Sequence, residues 1–215
     1  NGCLGFENAV LATARSYLSI PYLSMAGDSW AAYKDFIGEV RLDGAFRRSQ
    51  IATDDIAYFA PRLREWHTLF SDIDIEVAGE VDDFTGRIRS MQIGDNTFLT
   101  ADARVQGLPD IRRTHFDVQL QHLTTTARAA DRLARDIARK PLPEQVVAML
   151  DRSGRIDLGA RFRGQLSSFD VRLKAATGAG AVDVDVELKP QGRGLSGLNG
   201  RVAANDLRLG ELLGR

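Results

Sequence analysis

Residues 182–189 read Val182-Asp183-Val184-Asp185-Val186-Glu187-Leu188-Lys189, aliphatic and charged side chains in strict alternation. Successive side chains of an extended chain point to opposite faces, so this stretch predicts a strand with one dry face and one wet face. Strands buried on both sides read as unbroken apolar runs; this one belongs to a one-sided antiparallel sheet.

The same period of two recurs along the chain. It runs through Ile73 to Val81, Leu99 to Gln106, Phe116 to Gln121 and Ile156 to Phe162. Between these segments stand residues that tolerate turn geometry. Gly94-Asp95-Asn96 reads as a hairpin turn, Gly107-Leu108-Pro109-Asp110 as a longer corner and Gly178-Ala179-Gly180 as a flexible one.

GEVDDF (Gly79 to Phe84) and GQLSSF (Gly164 to Phe169) share one pattern of Gly, any residue, branched aliphatic, two polar residues and Phe. The offset of 85 residues that carries Gly79 onto Gly164 also brings Leu99–Val105 near Val182–Leu188, and at 84 Gln121-His122-Leu123 meets Asn205-Asp206-Leu207. An earlier partial copy is Val40 to Phe46. Self-similarity at a fixed period marks arrays whose units contact their neighbours. The expected division is a partial first repeat with short helices over 1–70, a repeat ending in a helical segment over 71–154, and a second, partial repeat over 155–215.

Three segments break the β rhythm. Trp30, Tyr33 and Ile37 fall on one side of a short helix that Ser29 caps and Gly38 ends. Thr53-Asp54-Asp55 caps another through Phe59, with Pro61 interrupting it. From Ala127 to Ala138, Ala130, Leu133 and Ile137 form a stripe, with Asp131/Arg135 and Arg132/Asp136 as i,i+4 pairs. Pro143 opens a further turn or two through Leu150.

Composition excludes several classes. Lys+Arg number 28 and Asp+Glu 29, a formal net charge of −1, without the basic footprint of a nucleic-acid binder. The single Cys3 excludes an intrachain disulfide framework and any multi-cysteine metal site. No run of about 18 apolar residues occurs. The chain begins at Asn1 without a signal-peptide pattern and reads as a piece of something longer.

Candidates for chemistry are few. Asp82/Asp83 alternate faces along the chain and do not share a proton, and their repeat counterparts are Ser167/Ser168. Asp72/Asp74 form another acidic pair, and Asp54/Asp55 read as helix caps. His67, His115 and His122 show no HxxxH or HExxH spacing. Ser49, Ser167 and Ser168 lack a GxSxG elbow, and Gly192-Arg193-Gly194 reads as a loose connection. Trp30 and Trp66, with Tyr33 and Phe70, read as helix-to-sheet contacts before a docking surface. The Arg-rich helix from Ala127 would meet anionic head groups, but Asp131 and Asp136 favour a solvated face. The expectation is a non-enzymatic chain with no metal and no cofactor.

DSWAAYKDFIGEVRLDGAF (Asp28 to Phe46), DDIAYFAP (Asp54 to Pro61) and GDNTFLTADARVQGLPDI (Gly94 to Ile111) resemble the translocation and assembly module (TamB) family of the AsmA-like superfamily, specifically a middle stretch of its long members. RIDLGARFRGQLSSF (Arg155 to Phe169) and NDLRLGELLG (Asn205 to Gly214) resemble the family's strand and repeat-end phrases. The resemblance implies a periplasmic protein anchored in the inner membrane by an N-terminal helix absent here. It implies a fold that is mainly β: a curved antiparallel sheet forming an open, repeating β-groove (a β-taco) with a few short helices. The associated roles are phospholipid transport between inner and outer membranes and support of outer-membrane protein assembly, whose machinery would be met through regions absent here.

In such a groove the inward positions would be Ile73, Ile75, Val77, Leu99, Ala101, Ala103, Phe116, Val118, Leu120, Leu158, Phe162, Val182, Val184, Val186 and Leu188, lining a furrow for phospholipid acyl chains. Outward charges would keep the outside soluble, and Lys189-Pro190 would discourage edge pairing. Periodicity alone equally describes, and more commonly belongs to, a β-sandwich or barrel packed on itself. An interaction scaffold offering sheet edges to client strands is the other functional expectation.

Overall fold

The computed structural model describes residues 2–56, 67–108, 110, 113–138, 140–178, 180–190 and 196–205. Several expectations lie outside these residues: Phe59, Pro61 and Trp66, the Ala57–Pro61 part of DIAYFAP, Pro109, Ile111, Ala179, Gly192–Gly194 and everything from Asp206 on.

Eleven strands lie side by side in chain order in one antiparallel sheet that does not close. They are β1 (Gly2–Ala12), β2 (Tyr17–Gly27), β3 (Arg41–Ala52), β4 (Leu69–Glu80), β5 (Asp83–Ile93), β6 (Thr97–Gln106), β7 (His115–Thr125), β8 (Ile156–Gln165), β9 (Ser168–Thr177), β10 (Gly180–Pro190) and β11 (Ser196–Asn205). The expected fold class is therefore observed: mainly β, open and antiparallel, with few helices. The described strands make one sheet, whereas a sandwich needs two.

In this meander the turns after odd-numbered strands share one end of the sheet and those after even-numbered strands share the other. A 3₁₀ turn, Trp30–Asp35, lies between β2 and β3; Ser29 Oγ accepts from the Ala31 N–H at 3.2 Å, as the capping signal predicts. Tyr33 donates its hydroxyl to the Met25 carbonyl at 2.6 Å, and its ring stacks on Trp30 at 5.5 Å. The i,i+3 spacing that suggested a helical face is the repeat of a 3₁₀ turn.

At the opposite end stand α1 (Thr53–Ile56), α2 (Ala127–Ala138) and α3 (Glu144–Arg152). Asp54 and Asp55 do sit in the first turn of α1, but their bonds run elsewhere than the expected caps. Asp55 accepts from the Thr13 and Ser16 hydroxyls, and Asp54 meets Arg15 and His67. They tie α1 to the β1–β2 turn. Asp131 of α2 pairs with Arg135 at 2.9 Å and accepts from the Leu142 N–H at 2.8 Å, which fixes the start of α3.

The two Gly-to-Phe phrases occupy equivalent hairpins. Gly79 faces Phe84 across the β4–β5 hairpin, Gly164 faces Phe169 across β8–β9, and both glycines have positive φ, 126° and 132°. The 85-residue offset carries β4, β5 and β6 onto β8, β9 and β10.

A line of irregularities crosses the first seven strands. Asn8, Arg48 and Asp72 have positive φ in β1, β3 and β4, and registers slip at Ile88/Met91, Thr100/Ala101 and Leu120/Leu123. From β8–β9 onward the registers run unbroken. Bulges bend a strand and increase its twist, so this row creases the sheet over β1–β7. The buried Ser49 hydroxyl supports the crease, accepting from the Ser19 N–H at 3.0 Å.

Lys189-Pro190 does not guard an edge. β10 is paired on both sides, with Pro190 opposite Ser196. Among the described residues the edges are β1 and β11.

Candidate functional site: the dry face and its rim

Following one register row across the sheet gives Phe6, Leu23, Gly44, Val77, Gly86, Ala103, Val118, Phe162, Val171, Val186 and Gly200. A second gives Phe46, Ile75, Ile88, Ala101, Leu120, Ala160, Leu173, Val184 and Val202. A third runs Leu99, Leu123, Leu158, Ala175, Val182 and Ala204. Phe116 lies opposite Gly164 and Leu188 opposite Phe169 in the row between the first and the even-to-odd turns. Ile73 precedes Ile75 by two. Alternation thus puts every expected groove residue on one face.

That face is continuous. With strands about 4.8 Å apart and about 3.3 Å rise per residue, eleven strands of ten residues span on the order of 1,500 Å². Monomers rarely expose contiguous apolar patches beyond a few hundred Å². Ile73, Ala101, Val105 and Ile156 are buried, whereas Val77, Val118, Phe162, Val171 and Val186 are only half-buried. Phe162 leans on Phe116 (centroids 6.4 Å apart) and on Phe169 (5.1 Å), so the rings shield one another. At the outer strands shielding falls away: Leu4, Phe6 and Val202 are exposed. A second layer would bury the whole face, and Val77, Val118, Phe162, Val171 and Val186 are not fully buried.

The opposite face is a charge ladder. Glu76, Arg87, Asp102, Gln119, Arg161, Arg172, Asp185 and Arg201 occupy one row. Glu76 bonds Arg47 and Arg89; Arg87 meets Asp102 at 3.1 Å, Arg104 meets Asp83 at 2.9 Å, and Arg163 and Arg161 meet Asp117 at 2.8 and 3.2 Å. Hydrogen bonds from Arg47 and then Arg89 hold the Glu76 carboxyl below its usual pKa, and Arg104 and then Gln106 do the same for Asp83. For Asp117, burial pushes upward, but the bonds from Arg163 and Arg161 outweigh it. Exposed pairs of this kind are screened by solvent and contribute little to stability. Their main effect is solubility and register.

This charged side also carries a feature the periodicity did not foretell. A recess of about 530 Å³ crosses β2 to β7, bordered by Tyr22, Asp43, Glu76, Arg87, Asp102 and Arg104. Burial, followed by the nearby Asp43 and Glu76 charges, pushes the Tyr22 phenol pKa up.

The other candidate residues are dispersed. His67 contacts Asp54, and His122 contacts Thr124 at 2.9 Å and Asp157 at 3.7 Å. His115 borders a separate recess at the even-to-odd end. Asp72 accepts from Ser90. Among the described residues no three His, Cys, Asp or Glu side chains gather as metal ligands, and no helix is long and apolar enough to cross a membrane.

No family model matches this chain, and no curated protein or solved structure matches it either.

Proposed function

We propose that this chain is a non-enzymatic segment of a groove that carries phospholipid acyl chains between the two membranes of a cell envelope. One observation carries the reading: an apolar face spans eleven strands, and Val77, Val118, Phe162, Val171 and Val186 on it keep part of their surface open to solvent. The rows run across the strands, along the length of the meander, so an acyl chain lying on them passes from strand to strand over similar side chains. Full burial of a sixteen-carbon chain would stabilise it by about 12 kcal/mol at about 0.8 kcal/mol per CH₂, and half-burial by roughly half that. Such attraction needs no directed contacts, which permits sliding. The resemblance to the TamB family supplies the periplasmic setting and the link to outer-membrane assembly.

The test uses a photo-reactive residue at Val184, with Asp183 on the opposite face as control, in the purified chain mixed with phosphatidylethanolamine/phosphatidylglycerol vesicles. Lipid adducts at Val184 and not at Asp183 support the groove. Equal labelling at both positions, or none at Val184, overturns it.

A second reading rests on the edges. Among the described residues strand β1 pairs with β2 alone, and its Val10 and Leu11 are exposed. An open edge of this length is a template for an added strand, as in an interaction scaffold. Protein adducts from a probe at Leu11, with none to lipid at Val184, would favour it.

A further inference from the structure

We propose that the cavity between α2 and the β5–β6 turn binds the head group of a zwitterionic phospholipid, one bearing a phosphate and a terminal ammonium. This deepens the acyl-chain reading above and rests on it.

The cavity measures about 250 Å³. Its walls combine Ile93 and Leu133 with four charges, Arg128, Arg132, Asp95 and Asp136. Ile93 lies in register opposite Phe70 and Thr97, at the odd-to-even end of the dry face. The cavity therefore adjoins the end of the apolar rows. Arg128 and Arg132 are one helical turn apart on α2, and both are exposed.

Among the described residues none of the four charges is ion-paired. That sets them apart from the charge ladder, where Glu76, Asp83, Asp102 and Asp117 all have arginine partners. The i,i+4 pair expected between Arg132 and Asp136 is not made, and the two border one cavity. Two cations and two anions at one site match a ligand carrying both signs. The phosphate takes the guanidinium donors, which suit its geometry, and the ammonium takes the carboxylates. A purely anionic head group would satisfy the arginines and leave the two carboxylates facing negative charge.

The experiment measures binding of dihexanoyl-phosphatidylethanolamine, dihexanoyl-phosphatidylglycerol and free O-phosphoethanolamine to the full chain by native mass spectrometry. The expected result is tighter binding of the ethanolamine lipid than of the glycerol lipid, about fivefold, with free phosphoethanolamine much weaker than either. The double change Arg128→Gln/Arg132→Gln lowers binding of both lipids at least tenfold. Asp95→Asn/Asp136→Asn removes the preference and keeps glycerol-lipid binding. Circular dichroism on each variant confirms the fold, since all four side chains lie at the surface of the cavity rim.

Lipid binding that ignores both double changes overturns the head-group site and leaves the acyl groove standing. If neither lipid binds, both readings are overturned. Free phosphoethanolamine binding as tightly as the lipid would assign the cavity to a soluble phosphate compound and overturn the lipid proposal.

Discussion

Gly79 sits directly across the β4–β5 hairpin from Phe84, so close that a Cβ on it would stand 2.4 Å from the Asp83 carbonyl oxygen and 2.8 Å from Phe84 Cα. Gly164 repeats this against Ser168 and Phe169, at 2.3 and 2.7 Å. Backbone atoms cannot yield as a side-chain tip can, and positive φ near 130° is essentially a glycine conformation. Gly79→Ala and Gly164→Ala should each destabilise the fold by about 2 kcal/mol or more. Gly5→Ala, which meets nothing within 4 Å, should shift the urea midpoint far less. Equal midpoints for all three would refute the hairpin argument.

Thr97 and Thr125 share a 2.8 Å hydrogen bond between hydroxyls that are almost fully buried. Thr97→Val leaves the Thr125 hydroxyl with only a long 3.5 Å contact to the Thr126 carbonyl, at an expected cost of about 1–3 kcal/mol. The double change to valine should cost less than the two single changes added together. A double-mutant cycle in urea checks this, and strict additivity would count against it.

Val118 and Gln119 are neighbours on β7 that point to opposite faces. Gln119→Lys should change stability by no more than about 0.5 kcal/mol. Val118→Lys should cost about 1–2 kcal/mol, because on an uncovered face the ammonium can reach water. In a closed core the same change would cost about 4 kcal/mol or more. Chemical denaturation of both variants separates the open sheet from a covered one.

The depressed carboxyl pKa values of Glu76, Asp83 and Asp117 predict an acid limb of stability. A carboxyl whose folded pKa lies below its unfolded value stabilises the fold above the unfolded value, near pH 4. That contribution shrinks as pH falls through the window down to the lowered folded pKa. Urea midpoints should stay level from pH 8 to 5 and drop below about pH 4. Glu76→Gln should flatten part of the drop; an unchanged acid limb would remove Glu76 from the account.

Much of the sheet was legible because strand periodicity is local. VDVDVELK became β10 with Val184 and Asp185 on opposite faces, and Gly94-Asp95-Asn96 became the β5–β6 turn. The crease was also written in the chain and went unread. From Phe70 to Ile73, Ile88 to Met91 and Leu120 to Leu123, apolar residues step by three where strict alternation steps by two. Each extra residue marks a bulge or register slip. The partners of Asp54 and Asp55 were not legible, because Thr13, Arg15 and Ser16 are far away in sequence and meet α1 only through the pairing of β1 with β2 and of β2 with β3.

By itself the sequence determined which faces are dry, where the hairpins turn and where glycine is required, since φ, ψ and side-chain direction follow from neighbouring residues. Only the tertiary structure decided whether the dry face is covered. Alternation is identical in a sandwich and in an open sheet; the difference lies in contacts between segments distant in sequence, and here the strands pair with their chain neighbours in one unclosed layer. The same holds for the unpaired charges beside α2. Arg128 and Asp95 have no relation along the chain and come to share a cavity only when the β7–β8 connection folds back over the β5–β6 turn.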